Sequence, residues 1–80
     1  MIQTIENKDF AFGESLIGTI NGINATYTTS KKFVAGKVSV YLNGLKQKIV
    51  DEFNTSGNQT VIFMESPQVG DVLSVDYEIY

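Results

Sequence analysis

Between Lys37 and Leu45, Val38, Val40 and Leu42 alternate with Ser39, Tyr41 and Asn43, and Gly44 follows at once. A period of two is that of a half-buried β-strand. Asn-Gly between apolar alternations is the strongest short-range hairpin signal. The segment therefore reads as a strand running into a tight turn, with its partner leaving over Leu45–Val50. That pattern commits the centre of the chain to antiparallel β structure.

The rest agrees. Leu16–Ile20 reads as a strand before an Asn21-Gly22 turn, and Ile23–Thr29 as the strand after it, rich in β-branched and aromatic residues. Ser30–Gly36 reads as a loop. Glu52–Thr55 is a short strand turned by Ser56-Gly57-Asn58. Gln59–Met64 is a mostly apolar, central strand, and Ser66–Asp71 is a loop. In the last strand, Val72–Ile79, Leu73, Val75, Tyr77 and Ile79 alternate with Ser74, Asp76 and Glu78, so one face packs and the other is wet. No segment carries an amphipathic helical stripe over two turns; residues 45–52 are long enough for one helical turn. Six to seven short strands with turns every 8–12 residues indicate an all-β fold, a small antiparallel β-sandwich or partly open barrel. The expected core is Val38, Val40, Leu42, Val61, Phe63, Leu73, Val75 and Tyr77, with Tyr27 beside it.

Ile2, Ile5, Phe10 and Phe12 fit no such period, and Glu6, Lys8 and Asp9 lie among them. Residues 1–12 read either as an N-terminal arm whose apolar side chains cover an open sheet edge or touch another chain, or as an ordinary first strand. We divide the chain into an arm, 1–12, and a β domain, 13–80.

With 80 residues and neither cysteine nor histidine, the chain is one domain with no disulfide and no Cys/His metal cluster. A domain of this size buries only about 60–65% of its unfolded surface, so neighbouring subunits are the favoured source of extra stability. No signal peptide and no run of about 20 apolar residues is visible, so no membrane segment is expected. The net charge is −3, yet Lys31, Lys32, Lys37, Lys46 and Lys48 follow one another with no acid between, and every later charge is acidic. That asymmetry suits either complementary neighbouring strands or a bipolar surface on which identical copies pack head to tail. Without arginine or a basic balance, nucleic acid is not an expected partner.

The chemistry-bearing residues are few. Asp76 and Glu78 share a strand face, but paired carboxylates need a substrate cleft that short loops do not supply. Asp51, Glu52, Asn54 and Asn58 are oxygen ligands close in sequence, yet no calcium-loop spacing is present and turn preferences account for them. Gly13, Gly18 and Gly22 are too far apart for a phosphate cradle. No cofactor is expected. Of Tyr27, Tyr41, Tyr77 and Tyr80, Tyr41 lies on the face opposite Val38, Val40 and Leu42, outward unless another chain covers it.

In order along the chain stand Gly18-Thr19-Ile20-Asn21-Gly22, Tyr27-Thr28, Gly36, Val40-Tyr41-Leu42-Asn43-Gly44-Leu45, Ser56-Gly57, Val61-Ile62-Phe63, Ser66-Pro67, Gly70-Asp71 and Val75-Asp76-Tyr77. This ordered set resembles the small recurrent β domain of tailed-bacteriophage virion proteins, which occurs as tail and fibre modules and as small capsid-decoration or neck and tail accessory proteins. The resemblance covers residues 13–80. It departs at Phe33, near the place where a proline often stands, and at Asp51-Glu52-Phe53, where Asp-Tyr is usual.

The resemblance implies a non-enzymatic virion structural protein, made in the host bacterial cytoplasm. It would decorate the capsid or act as a neck or tail adaptor, assembling in many copies with itself and with other virion proteins. It transfers no catalytic or ligand residue. The residues expected to make assembly contacts are Ile2, Ile5, Phe10, Phe12, Tyr41 and Tyr80. The alternative is a host-surface carbohydrate-binding module of a tail or fibre protein, with Tyr41 and Tyr80 in one shallow groove.

Overall fold

A computed structural model describes residues 9–80. Its strands are β1 (Phe10–Ser15), β2 (Thr26–Thr28), β3 (Phe33–Leu42), β4 (Leu45–Lys46), β5 (Phe53–Ser56), β6 (Thr60–Phe63) and β7 (Leu73–Ile79). They form two antiparallel sheets, one ordered β1-β7-β3-β4 and the other β2-β6-β5. The fold is the expected all-β sandwich.

The alternation of β3, β6 and β7 puts their apolar sides between the sheets. Val40, Val61 and Val75 are fully buried, and Phe63, Leu73, Tyr77 and Tyr27 nearly so. Each such side chain contributes about 1.5–3 kcal/mol by leaving water. Val38 and Leu42 pack against this core from a half-buried position. The core also takes Leu16, Phe33 and Phe53, which stand outside the clear alternations. Phe33 meets Tyr77 edge-on at 6.1 Å, and Tyr27 meets Phe63 edge-on at 5.7 Å.

Three segments differ from the sequence reading. Residues 33–36, expected in a loop, belong to β3, because fully buried Phe33 pairs with Ile79 at the far end of β7. Between Phe33 and Val38 the register slips by a bulge, and Gly36 at φ +78° supplies the left-handed residue within it. Leu16–Ile20 is not a strand. Only Ile17 bridges to Thr28, and at Gly18 the chain bends against the ring of Tyr27, where an added Cβ would come within 2.5 Å of Cδ2. Leu45–Val50 is a strand only at Leu45–Lys46; Val50 lies at φ +76°, and the chain turns there into β5. Residues 45–52 form no helix, although the Glu52 amide does bond to the Lys48 carbonyl at 2.8 Å.

The Asn43-Gly44 turn is as expected. Both residues have positive φ, +52° and +83°, the primed geometry that joins right-twisted strands. β6 is the central strand of its sheet. Phe10–Ser15 pairs with β7, so the boundary drawn after Phe12 falls inside a strand.

Candidate assembly surface

β1 closes one edge of the four-stranded sheet. Phe10 stands opposite Glu78 and Ala11 opposite Tyr77. Tyr77 points into the core, so Ala11 does too, and Phe10 faces outward. After Ala11 the register shifts, and Phe12 and Gly13 together oppose Asp76. Gly13, at φ +65°, provides the left-handed residue of this bulge, and its amide donates to Asp76 Oδ1 at 2.6 Å.

The bulge also re-aims Glu14. Its carboxylate accepts from the Ser30 amide at 2.9 Å, from Ser30 Oγ at 2.8 Å and from the Tyr77 hydroxyl at 3.0 Å. Burial alone would raise its pKa. The hydrogen bonds from Ser30 and Tyr77, with the charge of Lys31, outweigh burial and hold it below the ordinary carboxyl value. The carboxylate thus fastens β1 to the β2–β3 connection and to β7.

On the outer face, Phe10 and Phe12 stack with ring centroids 5.8 Å apart and planes at 17°. They remain 51% and 76% exposed, a pair that water does not favour. Beside them a shallow groove of about 390 Å³ runs past Lys37, Ser39, Asp76 and Glu78. Tyr41 lies opposite Ser74 on the same outer face, half-buried between β7 and Lys46 of β4. The face therefore carries the stacked aromatics of β1 and the acids Asp76 and Glu78 of β7, with Lys37 beside those acids and Lys46 on β4. Among the described residues the ion pair between Lys48 and Asp51 is long, 3.7 Å, and exposed.

Phe10, Phe12 and Tyr41 thus share one face. Tyr80, 80% exposed, follows the end of β7, six residues from the Ser74 position that flanks Tyr41. At the rise of an extended strand that is roughly 20 Å, so Tyr41 and Tyr80 do not line a common groove. Ile2 and Ile5 lie outside the described residues. Asp51 and Glu52 are not gathered with Asn58. Glu52 caps the Lys48 amide at 2.7 Å, whereas the Asn58 carbonyl takes the Phe33 amide at the other end of β5. No group of three or more aspartate, glutamate, histidine or cysteine side chains placed to hold a metal ion occurs among the described residues.

A second surface was not read from sequence. At the turn end, Asn43 Oδ1 accepts the Val72 amide at 2.8 Å and Asn43 Nδ2 donates to Asp71 Oδ1 at 3.1 Å. Asp71 Oδ2 accepts the Gln68 amide at 2.8 Å, and this bond, then that of Asn43, holds the Asp71 carboxyl below its ordinary range. Around this clasp Ile23, Leu45, Val69 and Val72 are exposed. Both Asn43-Gly44 and Gly70-Asp71 are visible as turn motifs; nothing in their spacing says that they join.

No family model, no curated protein and no solved structure matches this chain.

Proposed function

We propose that this chain is a non-enzymatic structural protein of a tailed-phage virion, present in many copies on the capsid or as an adaptor at the neck or tail. The observation that carries the reading is the exposed Phe10–Phe12 stack on the edge strand of the larger sheet, set beside the acidic outer face of β7. A small domain that leaves such a pair in water at a sheet edge gains stability when another protein covers it. The ordered motifs from Gly18 to Tyr77, which resemble the recurrent virion β domain, supply the kind of assembly. Lys37 and Lys46 on one side and Asp76 and Glu78 of β7 on the other supply charges for complementary contacts between neighbours.

The test is to look for the chain in particles. Purified virions of the phage that encodes it should contain it in many copies by quantitative mass spectrometry, and the recombinant protein should co-sediment with particles that lack it. A chain confined to the soluble lysate, with no affinity for particles, removes the proposal.

A further inference from the structure

We infer that β1 is an isologous interface, on which the β1 strand of a second copy of this chain pairs antiparallel about a two-fold axis at Ala11. The inference deepens the assembly reading and rests on it for the expectation that copies associate; the geometry of the edge selects the mode.

The sandwich has four sheet edges, and three are blunted among the described residues. The outer side of β2 is taken by Ile17, whose amide and carbonyl exchange bonds with Thr28 at 2.8 and 2.9 Å. The outer side of β5 is taken at Phe53, which accepts the Val50 amide at 2.6 Å. β4 has two residues and carries Lys46. Short strands, lysines and covering bridges are the ordinary means by which a sheet avoids edge-to-edge pairing. Among the described residues β1 shows none of these over Phe10–Phe12.

The phase of its backbone is also defined. The Ile79 amide bonds to the Asp9 carbonyl at 2.8 Å, so Asp9 and Ile79 form a hydrogen-bonded pair. Pairs alternate, so Ala11 and Tyr77 form the next one, and the Phe10 amide and carbonyl point away from β7. At Phe12 the bulge begins, but the Ala11 carbonyl faces β7 and the Gly13 amide faces Asp76 Oδ1, so across planar trans peptides the Phe12 amide and carbonyl also point away from β7. An edge that offers its donors and acceptors at Phe10 and Phe12 is met in phase by a strand that offers its own at Phe12 and Phe10. A second β1 does so when the two Ala11 residues face each other.

This register has two further consequences. It places Phe10 opposite the second copy's Phe12, and the reverse, so that four rings form one cross-strand cluster on the outer face and cover the apolar surface each copy exposes. It also joins the two four-stranded sheets into one continuous sheet. The bulge at Gly13 ends the pairing and keeps it finite, since a two-fold contact consumes the same edge on both partners.

The register sets the test. Ala11 faces Ala11 as a pair without hydrogen bonds, with Cα atoms about 4.5 Å apart, inside the range that a disulfide bridges. The native chain has no cysteine. A11C should therefore give a disulfide-linked dimer under mild oxidation, whereas I23C, on the distant exposed turn, should not at the same concentration. Light scattering of the native chain should show a dimer that F12K and F10K convert to monomer, with the β-sheet circular dichroism of each variant unchanged. A monomer at every concentration, or a dimer indifferent to both lysines, overturns the pairing. So does a dimer lost only when residues 1–8 are removed, with A11C failing to cross-link, because that assigns the contact to the N-terminal segment. A monomer that still binds virions would refute this interface and leave the virion reading standing. A cross-linked dimer that never binds them would do the reverse.

Discussion

The Tyr77 hydroxyl donates to the Glu14 carboxylate at 3.0 Å, and this bond joins the core of the sandwich to its exposed edge. Tyr77 is 2% exposed and packs against Phe33, whereas Glu14 stands on β1 just past the bulge. Glu14 also holds Ser30 through two further bonds. A charged acceptor with several donors is worth more than a neutral one, but water screens part of this cluster. E14Q keeps the shape and loses the acceptor for the Ser30 amide. It should cost about 1 kcal/mol, a fall in Tm of roughly 4–8 °C. Y77F should cost a similar amount, and the two losses should not add fully, because the Tyr77 hydroxyl and Ser30 share the one Glu14 carboxylate. A thermal double-mutant cycle reads this directly.

The same cluster sets a pH dependence. The folded-state pKa of Glu14 lies below the ordinary value of 4.5, and that of Asp71 below 3.8. The unfolded chain therefore binds these protons more readily. The stability each carboxylate contributes is fully present above its ordinary value and is lost as pH falls through the lowered folded value. Urea titrations between pH 6 and pH 3 should show stability falling mainly below about pH 4.5, the ordinary carboxyl region. E14Q should flatten the upper part of that fall and D71N the lower part.

Asn43 does two separable jobs. It adopts φ +52°, which asparagine tolerates and alanine does not, and its side chain clasps Val72 and Asp71. Left-handed backbone costs other L-residues about 1–2 kcal/mol, and the lost clasp about 1 more. N43A should therefore lose about 2–3 kcal/mol, within the range those two terms span. N43G, which keeps the turn and drops only the clasp, should lose about 1 kcal/mol. Equal losses in chemical denaturation would show that only one of the two functions matters.

These residues also show where the sequence was legible. Val40, Val75 and Tyr77 announce themselves because period two, sustained over a strand, leaves one physical solution. Asn43-Gly44 does so because few residues accept two successive positive φ values. Phe33 did not, since Lys31, Lys32 and Gly36 around it are the residues of a loop, and only the bulge opposite β7 lets that stretch remain in the sheet. Phe12 and Gly13 carry the same lesson. Their bulge against Asp76 breaks the alternation of β1, so local spacing leaves an arm and a first strand equally open, although Phe10–Ser15 pairs with β7. Of the expected contact residues, Phe10, Phe12 and Tyr41 fall on one face because strand register brings them there, and register between distant segments is not written in local spacing.

Phe33 tests that account energetically. It is fully buried between β7 and the β2–β3 connection, and its amide bonds to the Asn58 carbonyl at 2.7 Å. F33A should cost about 3–5 kcal/mol, the range for truncating a large core aromatic, and in a domain this small should leave it largely unfolded at 37 °C. A true loop residue would cost less than about 0.5 kcal/mol on the same substitution, so equilibrium denaturation separates the two cases without ambiguity.

Contact and fold can be separated at Phe12. It is 76% exposed, and its ring touches Phe10 outside the core. F12S should shift stability by no more than about 0.5 kcal/mol, as surface changes away from buried features do. If the Phe10–Phe12 stack is covered in the assembled particle, the same change should weaken co-sedimentation with virions at least tenfold, because aromatic anchors at the centre of an interface carry more than about 1.4 kcal/mol each. V69S is the control. Val69 is 79% exposed on the turn beside the Asn43–Asp71 clasp, away from β1. Loss of attachment with F12S and its retention with V69S would place the virion contact on the β1 edge. The opposite pattern would move it to the turn end, where Ile23, Leu45 and Val72 are also exposed.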